Sequence, residues 1–96
     1  MTPKDITNYR RKLQMYYYKR SGMSDASIGR IFNLTRERVR QVLGELEEKH
    51  AEGLAQIDLF IREREPIQGI LFLNALKNPV TLKGLIKKLC QNQEKK

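Results

Sequence analysis

Punctuation constrains residues 24–41 more tightly than any other part of this chain. A capping residue, a helical run, a turn residue, a second capping residue and a second helical run follow one another without a gap. Ser24 is placed to cap free backbone N–H groups, and Asp25 puts negative charge in the first turn, where the helix dipole favours it. Ile28, Ile31 and Phe32 fall on one face of the helix that follows. Asn33 stands where the backbone has to turn, and Asn is among the few side chains that tolerate a positive φ. Leu34 is expected to tuck under that turn, and Thr35 is the natural N-cap of the second helix. The spacing predicts two short helices joined by a tight turn, a helix-turn-helix.

At about 100° per residue, Arg36, Arg40 and Gly44 run along one side of the second helix with Glu37 and Gln41 beside them, while Val39, Val42, Leu43 and Leu46 occupy the other side. One face packs and the other is offered to solvent. Its side chains suit the base edges of a DNA major groove: Arg can bond guanine bidentately, Gln can do the same to adenine, and Glu can accept from the cytosine amino group. The unpaired N–H groups of the capped helix end can also meet a phosphate. Gly in a helix interior costs roughly 1 kcal/mol relative to Ala, so Gly44 is either a point of close approach to a partner or a tolerated weak spot.

Ile28-Gly29 and the run Thr35-Arg36-Glu37-Arg38-Val39-Arg40-Gln41-Val42 resemble region 4 of the bacterial sigma-70 factors, with its I-G pair and its T-R-E-R-V-R-Q-I run. Asn33-Leu34 stands where that family usually has Gly-Val. The resemblance implies base contacts from Arg36, Glu37 and Gln41, with Arg38 and Arg40 nearer the phosphates and Thr35 at the helix entry. It covers residues 24–42, roughly a fifth of the chain, and nothing here corresponds to the promoter-melting or core-clamping regions of a full sigma factor. Helix-turn-helix units of this kind are reused in many small regulators.

Charge is distributed unevenly. The net charge is +8, yet residues 1–44 carry ten Lys and Arg against three Asp and Glu, residues 45–66 three against seven, and residues 67–96 six against one. A polyanionic partner, nucleic acid or an anionic membrane, fits the balance. Phosphate would repel the acidic middle, so the duplex is expected to meet the N-terminal half.

Ahead of the motif, Ile6, Tyr9, Leu13 and Tyr16 or Tyr17 recur at helical spacing, with Arg10, Arg11, Lys12, Lys19 and Arg20 around the remaining surface. Thr2-Pro3 fits the start of this first helix and Ser21-Gly22 its stop. Lys19 and Arg20 are candidate phosphate contacts. Tyr16-Tyr17-Tyr18 could stack unpaired bases, but consecutive helical residues point different ways. Most of the trio is therefore assigned to the core, with one hydroxyl left to donate to a phosphate.

Beyond Leu46 the apolar register continues through His50, Leu54, Ile57, Phe60 and Ile61, so the helix that begins at Thr35 is expected to run to about Arg64. A break near Glu52-Gly53 is the alternative. Pro66 marks a corner before a short apolar helix carrying Ile67, Ile70, Leu71, Leu73 and Leu76, which ends around Lys77-Asn78. Asn78 and Pro79 then open a last helix with Leu82, Leu85, Ile86 and Leu89 on one face and Lys83, Lys87 and Lys88 toward water, and Gln91 to Lys96 are expected to fray. Ile70-Leu71-Phe72-Leu73 is apolar on more sides than a peripheral helix of so small a chain readily buries. Ile57, Phe60, Ile61, Ile70, Leu71 and Leu73 are accordingly expected to form a homodimer surface; the alternative folds these helices back to complete one core.

The expected architecture is all-α, about five helices forming one compact domain, with a helix-turn-helix DNA-binding region over 1–48 and a C-terminal dimerisation region over 49–96. One histidine, one cysteine and no Gly-rich phosphate loop argue against catalysis, a metal site or a cofactor. Cys90 allows no internal disulfide, and no secretion signal or apolar span of roughly 18 residues is apparent, which points to a cytoplasmic protein without a membrane partner. The function these readings imply is a sequence-specific regulator of transcription that reads double-stranded DNA with residues 35–48 as a homodimer on a two-fold operator. The alternatives are a module acting on RNA polymerase and a small protein binding RNA or a ribonucleoprotein.

Overall fold

Each internal cap read from the sequence closes a helix in the computed structural model, which describes residues 3–62 and 68–90. The helices are α1 (Pro3–Arg20), α2 (Asp25–Phe32), α3 (Arg36–Arg62), α4 (Gln68–Lys77) and α5 (Pro79–Leu89), and no strand occurs among the described residues. The backbone leaves α1 through Gly22 at φ 100°, a conformation that glycine adopts without penalty. Ser24 Oγ accepts from the Ser27 N–H at 3.2 Å, opening α2. Asn33 ends it in the left-handed region at φ 57° and ψ 46°, where the Leu34 N–H donates to the Gly29 carbonyl at 2.7 Å. Thr35 Oγ1 accepts from the Arg38 N–H at 3.1 Å, and Asn78 Oδ1 accepts from the Val80 N–H at 3.0 Å with Pro79 in the first turn of α5.

α3 is the spine and touches each of the other four helices. Around it lies one core: Leu13, Met15 and Tyr16 from α1, Ile28 from α2, Val39, Val42, Leu43, Leu46, Leu54 and Ile57 from α3, and Phe72, Leu76, Leu82, Leu85, Ile86 and Leu89 from α4 and α5. The spine is bent, but not where the sequence suggested. His50 leaves helical geometry at φ −132° and ψ 34°, while Gly53 remains inside the helix. A Cβ at Gly53 would stand 2.6 Å from the Leu89 carbonyl oxygen and 2.8 Å from its carbon. The glycine is thus a crossing point of two backbones, α3 against the end of α5, rather than a weakness in the helix.

Two expectations need correction. Ile31 does not join Ile28 and Phe32 on the packed face; it is 52% exposed, because α2 turns only Ile28 and Gly29 fully inward while Phe32 lies against Tyr18 with ring centroids 6.1 Å apart. Ile57 is wholly buried in the chain's own core and therefore cannot contact a second copy. Phe60, Ile61 and Leu73 pack against the same core, and Leu71 is half-buried. Folding back of α4 and α5 onto α1 and α3 thus takes Ile57 out of the expected dimer surface and leaves Phe60, Ile61, Leu71 and Leu73 partly exposed. The side chain of Ile70, and Ile67, Pro66 and Gln91 to Lys96, lie outside the described residues.

Part of the fold was invisible in periodicity. Met15 is buried although it lies off the expected stripe of α1. Arg10 reaches across the chain to donate from Nε to the Leu76 carbonyl at 2.9 Å, satisfying one of the carbonyls left over at the end of α4.

Candidate nucleic-acid interface

The docking of α2 against the start of α3 is fixed by Gly29. A Cβ there would collide with the Leu34 carbonyl oxygen, so only glycine lets the turn fold back this closely over α2. Val39, Val42 and Leu43 hold the inner face of α3 in the core, and Leu46 continues it. The outer face of its first two turns is left to solvent. Arg36, Glu37, Arg38, Arg40, Gln41 and Gly44 are all exposed, and a Cβ on Gly44 would meet nothing within 4 Å. Thr35 covers the Arg38 N–H, which leaves the N–H groups of Arg36 and Glu37 at the open helix end. The Thr35 hydroxyl accepts that bond and retains its own proton to donate outward.

These side chains are not equivalent. Arg40 Nη2 binds Glu37 Oε2 at 2.6 Å, a pair one turn apart that holds both heads over the outer face. Arg36 and Gln41 have no side-chain partner among the described residues, so their donors and acceptors remain available. Arg38 falls on the opposite flank of the helix from Arg36 and Arg40 at about 100° per residue, and it borders α1. Farther along, the exposed Glu45, Glu47, Glu48 and Glu52 make the rest of α3 acidic. Phosphate would be repelled along that stretch.

Lys19 Nζ lies 2.9 Å from Asp25 Oδ1 and Arg20 Nη2 lies 3.6 Å from Asp58 Oδ2, so each has a carboxylate neighbour while its side chain stays about half exposed. Asp58 also receives the Tyr16 hydroxyl at 2.9 Å on both oxygens. Burial and that bond push the Tyr16 phenol far up, keeping it a neutral donor. Tyr17 packs on Phe72 at 5.3 Å between centroids. The tyrosines are thus core and seam rather than a stacking platform. What the sequence reading missed lies on α1: Arg11 and Lys12 were placed among surface charges, yet they line a cleft facing Arg38. Spacing gives the polar stripe; only the docking of α1 beside the turn gives it a neighbour.

Away from this face, His50 is 7% exposed, with Nδ1 buried and without a hydrogen-bond partner. Burial lowers its pKa, partly opposed by a hydrogen bond to the Leu89 backbone and reinforced by Lys12 and Lys49. Tyr9 meets it edge-on at 6.0 Å and lies 3.5 Å from Cys90 Sγ. No cluster of metal-binding side chains occurs among the described residues, and no described helix is long and apolar enough to cross a membrane. Compared with models of known protein families, with curated proteins and with solved structures, the chain matches none.

Proposed function

We propose that this protein binds double-stranded DNA sequence-specifically and regulates transcription by doing so, with the first two turns of α3 in the major groove. One observation carries the reading: an N-capped helix, anchored on its inner face by Val39, Val42 and Leu43, projects Arg36, Gln41 and the Glu37–Arg40 pair into solvent. Base readout needs such side chains on a rigid element that stands proud of its domain. In this reading Arg36 and Gln41 bond base edges. Glu37 orients Arg40 and accepts from an exposed cytosine amino group, and Thr35 meets the phosphate at the helix entry. Ile57 is used inside the chain, so one chain reads one half-site and pairing of two chains on a two-fold operator would need other residues.

Selection of bound sequences from a random duplex pool, near physiological salt, tests this directly. Enrichment of one short motif is expected. Arg36→Ala then weakens binding to that motif by about 1–3 kcal/mol and relaxes one base position. Equal losses on every sequence, or no enrichment at all, would overturn the assignment and favour a partner that is RNA polymerase or structured RNA.

A further inference from the structure

We propose that the cleft between α1 and the start of α3 is a phosphate site, taking a backbone phosphodiester beside the groove that α3 enters. The DNA-binding reading supplies the source of that phosphate; the cleft supplies its chemistry. The space is about 250 Å³, walled by Asn8, Arg11 and Lys12 on one side and Arg38 on the other. Met15, Val42 and Leu34 complete the lining, the first two buried and the third half-buried. No carboxylate lines it among the described residues.

That absence distinguishes these cations from the others that hold partners. Lys19, Arg20 and Arg40 each have an acid, and Arg10 has a carbonyl. Arg11 and Arg38 have no side-chain partner among the described residues, and the Lys12 ammonium rests 5.6 Å over the Tyr9 ring. Arg11, Lys12 and Arg38 thus place three cationic side chains along one concavity, and the apolar lining beneath them strengthens every charge interaction at its mouth. Arg11 and Arg38 can turn their guanidinium forks from opposite walls onto one tetrahedral phosphate, with the Asn8 amide beside them and Lys12 in reach once it leaves the Tyr9 ring.

Location identifies the source. Leu34 and Arg38 bracket Thr35, so the cleft adjoins the first turn of α3, where contacts to the backbone position a base-reading helix. Arg38 and Arg36 therefore have separate tasks, one on the backbone and one on the bases.

Two measurements on the 96-residue chain test the site. In the first, inorganic phosphate replaces chloride at constant ionic strength while backbone amide shifts are followed by NMR. Saturable shifts at Arg11, Lys12, Leu34 and Arg38, lost in R11Q/K12Q/R38Q, are expected. In the second, affinity for a mixed-sequence duplex is measured against KCl. Each lost phosphate contact lowers the log–log slope by about 0.9. The triple variant should therefore lose roughly 2 to 3 of slope, while K83Q/K87Q on α5 keeps it, and circular dichroism melting checks that each variant is folded. An unchanged slope in a folded triple variant that still binds duplex overturns the cleft and leaves the DNA reading intact. Saturable phosphate binding in a protein that binds no duplex sinks the DNA reading and makes the cleft a site for free phosphate. Neither response sinks both.

Discussion

His50 shows how a single side chain can carry a cost that the rest of the fold has to meet. Its ring fills the bend of α3 against the Tyr9 edge, and one nitrogen is buried without a partner. A positive charge there would also face Lys12 and Lys49, so burial and these neighbours hold the folded pKa below the ordinary 6.5. The sign follows from linkage: the unfolded chain takes up the proton first, so stability is full above about 6.5 and falls as pH drops from there toward the folded pKa. Thermal melts from neutral to mildly acidic pH should show a falling Tm, and His50→Leu should flatten that part of the curve. An unchanged slope in the variant would assign the acid sensitivity to other groups. Periodicity placed His50 on the packed stripe; its unpartnered nitrogen depends on α5 and α1 closing over it.

Two glycines on α3 have opposite meanings, and the helix that contains them explains both. Gly53 lies against the Leu89 backbone, which would have to shift to admit a Cβ, so Gly53→Ala should destabilise the protein by about 2 kcal/mol, or roughly 8–16 °C of Tm. Gly44 faces open solvent on the outer surface. Gly44→Ala should therefore stabilise the free protein by about 0.4–1 kcal/mol. If Gly44 lets α3 approach the groove, the same substitution weakens duplex binding. Unchanged affinity would make Gly44 a tolerated weak spot and leave close approach to the flanking residues. From sequence the two positions look alike, since a glycine's use depends on what lies opposite its missing Cβ.

Across the whole chain, the apolar excess of the C-terminal half is absorbed internally. α4 and α5 cover α1 and the far half of α3, leaving Leu59 and Val80 as the large hydrophobics exposed on that side among the described residues. Separated apolar residues of this kind do not make an interface core. Sedimentation equilibrium at micromolar concentration should accordingly return the 11.3 kDa of one chain. A mass near twice that value would restore the two-fold operator and demand an interface built from other residues than Ile57. Charge divides along the same lines, with unpaired cations beside the open end of α3 and exposed glutamates farther down its length.

Helix boundaries, caps, the turn at Asn33 and the packed face of α3 were legible in the chain because each depends on residues within a turn or two of one another. Ser24, Thr35 and Asn78 bond backbone groups two or three residues away, and the 3.6-residue period marks which side of a helix is apolar. The solvent-facing chemistry of Arg36 and Gln41 was legible for the same reason. Pairing across the chain was not. Arg10 with Leu76, Tyr16 and Arg20 with Asp58, and Gly53 with Leu89 join residues far apart in sequence, and no local pattern encodes which helix will arrive at a given face. The docking of those helices took Ile57 from the expected dimer surface into the core, gave Lys19 and Arg20 carboxylate neighbours, and set Arg11 and Lys12 beside Arg38.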